Sequence, residues 1–482
     1  MVSINILSQT TAILLTLILS IIFLVSGIHY SKKYKGLNNY LIANRNIGIF
    51  PLTASFVSSA LGAWILFGPA SAATWGGIGA VIGYALGTAF PLVILITLGL
   101  KFRNSFPKAK TLIEVIRLKF GKQLFKLILF LTIFYMAIFL IAEVTAVSIL
   151  VNYISGTSLW ITALIVVTSS LIYTLYGGLR ASIFTDNIQM VVIGVLLLVS
   201  LLYITSLTGS EFSFEFIKEK NPHLLSPSYT PSYTAGLTFF IAVAATNLFH
   251  QGNWQRVYAA KNFDILRKSL IISFFIIMPI VFYMGFTGMV AFSIDPTTRP
   301  DLGFFTLLLK EQKEMLSLIV IILGLALTIS TVDTLVNAIS SLIVVDGKAT
   351  FNLDKKTNYL NFSKYVILFL SLISFIVASK GFDILYLFLL ADLFCCAFVL
   401  TVFYSFYNKD INERTAYVSI IVGLISGFLM FPSPDFSKSL LVGMLIPQEF
   451  FIPFVSQSLL FLSFAVATFV PFILIKAKKL LY

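Results

Sequence analysis

The sequence predicts an all-α polytopic membrane protein with about 13 transmembrane helices, and three observations carry that prediction. Hydrophobic residues fill 58% of the 482 positions and charged residues only 11%, whereas about a quarter of a soluble domain is charged. The mean hydropathy is +0.97. Apolar runs of about 20 residues, the length that crosses a hydrocarbon core, recur along the whole chain. The basic residues gather in alternate gaps between those runs, so the formal net charge of +13 orients helices and does not point to nucleic acid.

In order, the expected spans are 5–29, 48–75, 78–101, 124–154, 158–176, 184–208, 235–256, 269–293, 314–345, 361–379, 383–406, 415–432 and 450–475, separated by Gly, Pro, Asn or clustered charge. The first is too long for a signal-peptide apolar region and lacks a basic start and a small-residue cleavage site, so it reads as a retained span. With the N-terminus outside, inner gaps hold 26 of the 33 Lys and Arg residues. These are Lys32, Lys33, Lys35 and Arg45, the cluster from Lys101 to Lys126, Arg180, and Arg256 with Lys261, Arg267 and Lys268. The rest are Lys348, Lys355, Lys356, Lys364, Lys409, Arg414, Lys476, Lys478 and Lys479. Only Lys218, Lys220, Arg299, Lys310, Lys313, Lys380 and Lys438 fall outside. A missed or invented span would scramble this alternation, so the expectation is an N-out, C-in protein of a prokaryotic plasma membrane, the inner membrane in a Gram-negative cell. The longest outer gap, 209–234, shows no domain-sized hydrophobic pattern, and the chain ends at Tyr482 soon after the last span, so no enzymatic or signalling domain is expected. Cys395 and Cys396 are helix neighbours that cannot easily bridge, and His29, His223 and His250 have no metal-ligand spacing.

Two spans are not ordinary membrane helices. Residues 51–70 crowd small side chains around Gly62 and finish on Gly68-Pro69. Residues 242–256 place Thr246, Asn247, His250, Gln251, Gly252 and Asn253 within one apolar run. Backbone at membrane depth unwinds only where protein or a wet cavity satisfies its freed groups. Spans two to six and seven to eleven form two five-helix halves entered from opposite sides, and each half opens with one of these interrupted helices. Paired interruptions of this kind mark the midplane site of a transporter; the alternative is that small residues merely let helices pack closely.

Four stretches resemble the sodium/solute symporter family, which includes proline permeases and sodium/glucose symporters. They are Tyr176-Gly177-Gly178-Leu179-Arg180 running on to Asp186-Asn187-Ile188-Gln189, Gln251 with Gln255-Arg256 and Ala259-Ala260-Lys261, the run from Leu327 through Ser330-Thr331 and Asp333-Thr334 to Ala338, and Trp64-Ile65-Leu66-Phe67-Gly68. The likeness spans roughly residues 40–430. It implies the LeuT-type fold: an extra N-terminal helix and loop (1–47), a first five-helix repeat (48–209), an outer loop (210–234), a second repeat (235–406) and two extra C-terminal helices (407–482). It implies Na⁺ as coupling ion, held by carbonyls of Ser58, Leu61 and Leu327 and hydroxyls of Ser330 and Thr331. Neutral oxygens suit a hard cation that must also leave. The bland reading of Ser330 and Thr331 is back-bonding to their own helix. A second sodium would involve Asp186, Asp333 and Thr334, whose two carboxylates either hold an ion tightly or keep one acid protonated. Asp186 is otherwise a helix N-terminal charge or a partner of Arg180. Proline permeases carry an Asp where this chain has Ala60, so the likeness does not extend to proline specificity.

Glu143 and Asp392 are the remaining acids near mid-span, where charge is costly unless paired, protonated or wet, and no Lys or Arg is expected at that depth. A cationic, zwitterionic or neutral small molecule therefore fits better than an anion. Ala60, Gly62, Trp64, Asn247, His250 and Gln251 are expected around it, with any cargo carboxylate met by backbone N–H groups at Gly62 and Gly252. The sequence is read as a sodium-coupled symporter importing such a solute, its partners the bilayer and the cargo, with one copy sufficient. A proton-coupled carrier on the same fold, relaying through Glu143, Asp333 or Asp392, is the nearest alternative. A transporter-like sensor module and a membrane enzyme are the more distant ones.

Overall fold

A computed structural model describes residues 3–33, 36–351, 358–408, 410–434, 436, 438–439, 441–442 and 458–481. Lys35, Lys355, Lys356, Lys409 and positions 450–457 of the last expected span lie outside them. The described chain is helical nearly throughout, with two isolated bridges, Ile47–Ala260 and Pro432–Ser439, as its only extended pairings. Its α-helices are α1 (Gln9–Ser31), α2 (Leu37–Ile42), α3 (Ile49–Ala60), α4 (Gly68–Ser105), α5 (Leu112–Lys119), α6 (Lys122–Ser155), α7 (Leu159–Thr208), α8 (Phe214–Lys220) and α9 (Thr230–Phe249). They continue with α10 (Gln251–Ala259), α11 (Phe263–Ile294), α12 (Gly303–Leu308), α13 (Glu314–Leu342), α14 (Lys348–Phe351), α15 (Tyr359–Ala378), α16 (Ile384–Ser405), α17 (Glu413–Met430) and α18 (Leu459–Leu481).

Among the described residues, 11 helical stretches are long and apolar enough to cross a membrane, and Ile49–Ala60 and Leu159–Ile172 are shorter apolar helices. Together they account for the expected passes. Length explains why α7 holds two passes and why α4 holds the second half of one pass and the whole of the next. A straight helix of 38 residues would measure about 57 Å, nearly twice a hydrocarbon core. The chain doubles back at Gly77, where φ is +52°, a conformation costly for any side chain. The Trp64 ring consequently stacks on Tyr84 with centroids 5.4 Å apart, although the two are twenty residues apart in sequence. In α7 the turn is Gly178, at φ +60°, and a Cβ there would meet the Tyr40 ring at 2.4 Å.

Helices meet through small residues and show large apolar ones outward, as expected where lipid gives no hydrophobic drive for association. α1 buries Ala12, Thr16, Ser20 and Gly27, packs on α7, and exposes Leu14, Ile18, Ile21, Ile22 and Val25. α4 meets α9 so closely that a Cβ on Gly83 would lie 2.0 Å from the carbonyl oxygen of Gly236. The gap at 209–234 is more ordered than its composition predicts. It contains α8, capped by the Ser213 hydroxyl accepting from the Phe216 N–H, and a short 3-10 turn, Pro222–Leu225, whose Leu224 carbonyl closes on Gly77. α13 runs through the middle, buried without interruption from Leu323 to Leu342, with α3, α6, α7 and α10 against it.

Candidate functional site

The site is built where two helices stop. α3 ends at Ala60; Leu61 and Gly62 leave helical geometry (φ −96°, ψ 85° and φ −84°, ψ 179°), and a short 3-10 segment, Ala63–Leu66, follows. The freed Ala63 N–H donates to Glu143 Oε2 at 2.9 Å, so a carboxylate from α6 stabilises the break. Gly62 makes this possible, because a Cβ there would lie 2.1 Å from Glu143 Oε1. That second oxygen has no hydrogen-bond partner among the described residues. The second stop is His250 (φ −60°, ψ 110°), between α9 and α10. Here the carbonyls that lose their helical donors are satisfied locally. Asn253 Nδ2 donates to the Asn247 carbonyl at 2.9 Å and Trp254 Nε1 to the Leu248 carbonyl at 2.8 Å. The polar residues crowded after Thr246 therefore serve the unwound backbone as well as the cavity.

Between the two breaks lies a cavity with about 570 Å³ of space between atoms, open solvent included. One part of its wall is aromatic: Trp64 and Tyr84 stack, and Phe388 tilts against Trp64 at 6.4 Å and meets Phe139 edge-on at 5.0 Å. The other part is polar. It holds Glu143, which is 0% exposed, and Asp392, which is 4% exposed and accepts from Thr246 Oγ1 at 2.7 Å. No Lys or Arg lines it among the described residues.

The structure brings Ala60, Trp64, Glu143, Asn247, His250 and Asp392 into this wall. Gly62 lies beneath Glu143 and is not itself in the lining. Gln251 corrects the expectation outright. Its side chain is fully buried away from the cavity, with Oε1 accepting from the Leu112 N–H at 3.1 Å and Nε2 donating to Ser341 Oγ at 3.3 Å. Sequence reasoning missed Tyr84, Phe139 and Phe388. Phe and Tyr together number 67 in this chain and most are chemically indistinguishable from lipid-facing residues, so no local signal marked these three.

The residues expected around sodium lie on α3, α7 and α13, which pack on one another. Ser58 is wholly buried, and Leu61 and Leu327 are likewise 0% exposed. Ser330 Oγ donates to Asp186 Oδ1 at 2.7 Å. Thr331 lines the cavity and donates to the Leu327 carbonyl at 3.2 Å, the local back-bond that the bland reading foresaw. Asp333 accepts from Ser182 Oγ at 2.8 Å and Thr185 Oγ1 at 3.2 Å.

Arg256 overturns the expectation that no Arg or Lys sits at depth. Charge counting placed it in an inner gap, six residues beyond the second break; the fold carries it inward, with its side chain 0% exposed. Its Nη2 pairs with Asp186 Oδ2 at 2.8 Å and donates to Thr334 Oγ1 at 2.9 Å. Asp186 is thus ion-paired with Arg256, while Arg180 donates to Asn39 and to the Ala43 carbonyl.

Two interrupted helices facing each other across a cavity lined by two acids, within a helical bundle, define a LeuT-type membrane transporter. Residues 40–423 match the sodium:solute symporter family, and the chain belongs to that family of solute transporters. Among its relatives is a spermidine transporter of Candida albicans, 26% identical over 79% of this chain and 72% of its own length. Another is a sodium/pantothenate symporter of Haemophilus influenzae, 26% identical over 86% of this chain and 89% of its own length. A Na⁺-coupled sialic acid symporter shares the fold at a TM-score of 0.74 and 15% identity, covering 98% of this chain and 97% of that one.

Proposed function

We propose that the protein imports a small organic cation carrying one or more amines, a linear di- or polyamine in the first instance, together with Na⁺. The observation that carries the cargo reading is the pairing of two buried acids, Glu143 and Asp392, with four aromatic rings in one cavity that contains no Lys or Arg among the described residues. An ammonium neutralises a buried carboxylate and also favours an aromatic face. The methylene stem of a polyamine is matched by the same rings. The relationship to a spermidine transporter supports this chemistry.

Sodium is assigned to carbonyls of Ser58, Leu61 and Leu327 with the hydroxyls of Ser330 and Thr331, where α13 meets the end of α3. N-terminus outside is the orientation consistent with the charge distribution. The test is uptake of labelled putrescine and spermidine into proteoliposomes under separately imposed Na⁺ and H⁺ gradients. Uptake should follow the Na⁺ gradient. Transport driven by H⁺ alone would refute the sodium assignment, and transport of a carboxylate solute with no amine uptake would refute the cargo assignment.

A further inference from the structure

A groove on the flank of the bundle, apart from the cargo cavity, combines apolar walls with an uncommitted arginine. It runs between α4 and α11 and holds about 890 Å³ of space between atoms, its open side included. Ile96 and Thr97 of α4 and Ile271, Phe274 and Phe275 of α11 line it, and Arg267 stands toward one end. α11 has 32 residues, about 48 Å of helix against a hydrocarbon core of about 30 Å, so its first turns reach the headgroup layer. In the N-out orientation proposed above, that end faces the cytoplasm. Arg267 lies in the second turn, is exposed, and makes no hydrogen bond or ion pair among the described residues. Its neighbour Lys268 is paired with Asp264 at 2.9 Å. Lys261, Arg267 and Lys268 against Asp264 are three cations to one acid, which leaves this end of the groove at net +2.

We propose that this groove binds an anionic glycerophospholipid, its phosphate on Arg267 and an acyl chain laid along Ile96, Ile271, Phe274 and Phe275. The order of chemistry along the groove is that of a lipid. The guanidinium offers a planar fork of donors that matches a phosphate, and its stem lets the head stay at the headgroup level. Phe274 lies seven residues further along α11, about 10 Å deeper, where the chains are. The surplus positive charge favours a headgroup of net negative charge over a zwitterionic one. A second copy of the chain would have to bring an acid to Arg267 and an apolar ridge into the groove, whereas a lipid carries phosphate and chain in one molecule.

The two walls of the groove are also the helices that support the two interrupted ones. α11 turns its opposite face to α3, where Ser269 Oγ donates to the Ile49 carbonyl at 3.3 Å and Ser273 Oγ to the Thr53 carbonyl at 3.5 Å. α4 supports α10. Arg103 Nη1 donates to the Val257 carbonyl at 3.1 Å, and Gly99 lets the same residue approach so closely that a Cβ there would lie 3.1 Å from Val257 Cγ1. A lipid seated between α4 and α11 therefore bears on the supports of both interrupted helices while lying outside the cargo cavity.

The experiment is native mass spectrometry of the purified full-length protein in a neutral detergent, with the melting temperature followed in parallel. Each is titrated with phosphatidylglycerol and with phosphatidylcholine of the same chains. The wild-type protein should retain phosphatidylglycerol roughly fivefold more tightly and be stabilised more by it. Arg267→Gln changes an exposed side chain with no partner among the described residues, so the fold should persist while phosphatidylglycerol binding weakens roughly fivefold and phosphatidylcholine binding stays near its wild-type value. Lys218→Gln, an exposed cation of α8, should change neither. Thr97→Trp fills the groove and should expel both lipids. Equal retention of the two lipids by the wild type overturns the proposal, as does unchanged phosphatidylglycerol binding in Arg267→Gln or in Thr97→Trp. Inorganic phosphate that stabilises as well as phosphatidylglycerol does would make this a free-anion site, and a dimer that dissociates in Thr97→Trp would make it an interface between copies; either result also overturns the lipid. These readouts involve neither cargo nor Na⁺, so their failure is distinguishable from failure of the transport assignment.

Discussion

Glu143→Gln tests whether the acid at the first break recognises cargo or only holds the backbone. The substitution keeps the shape of the side chain, and the amide oxygen can still accept from the Ala63 N–H that now bonds Oε2 at 2.9 Å, so the break should survive. What disappears is the capacity for negative charge, including that of the buried Oε1, which has no partner among the described residues. A hydrogen bond to a charged group contributes about 1.5–3 kcal/mol. Removing it from an ammonium–carboxylate contact should therefore raise the half-saturating amine concentration by roughly ten- to a hundredfold. A deaminated analogue of the same length, which never used the charge, should shift by no more than about threefold. Isothermal titration of both ligands on purified wild type and variant separates the two cases. Equal losses for amine and analogue would show that Glu143 only pins the helix break, and unchanged amine binding would remove it from the site.

Gly62→Ala drives a Cβ to 2.1 Å from Glu143 Oε1, so it should abolish uptake of charged and uncharged ligands alike, read as transport per folded protein. Trp64→Leu keeps apolar volume but loses the ring face, and should weaken amine binding by about two- to thirtyfold, the range of a cation–π contact, measured by the same titration. Ser330→Ala and Thr331→Ala should each raise half-saturating Na⁺ while membrane insertion stays near normal; unchanged sodium dependence in both would exclude them as ligands. Gly83→Ala places a methyl 2.0 Å from the Gly236 carbonyl and should lower the melting temperature by forcing α4 and α9 apart, without altering sodium cooperativity in what remains folded.

The features legible in the sequence were those governed by local physics. Passes announced themselves because a bilayer demands a minimum apolar length, and their turns because Gly77 and Gly178 must adopt a positive φ. The breaks at Gly62 and His250 were visible as polar and small residues in places where lipid tolerates neither. Legibility ended where the deciding quantity was proximity between helices. Arg256 reads as an ordinary residue flanking a span until the end of α10 is turned inward onto Asp186, seventy positions away in sequence. Gln251 shares every compositional property of Asn247, yet one faces Leu112 and Ser341 and the other faces the cavity. Aromatic residues serve both lipid and ligand in this chain, so the rings of Tyr84, Phe139 and Phe388 became recognisable only as neighbours of Trp64.

The break at Gly62 also argues about which amine the cavity prefers. An unwound helix end ordinarily offers free N–H groups and the positive end of a dipole, which together attract a carboxylate. Any carboxylate on the cargo was expected to be met there. The chain has supplied its own: Glu143 occupies the Ala63 N–H, and the Gly62 surface beneath it is bare of any Cβ so that the carboxylate can approach. A position that would draw an anion is thereby filled by the chain's own carboxyl group, and Glu143 is part of the cavity lining. An α-amino acid entering this site would bring a third carboxylate close to Glu143 and Asp392, with no Arg or Lys in the described lining to offset three acids. A molecule with an amine at each end meets both acids and adds no negative charge. Diamines and polyamines should therefore outcompete zwitterionic amino acids of equal length at this site, and a zwitterion that competes equally with putrescine would show that the Glu143 charge does not reach the ligand.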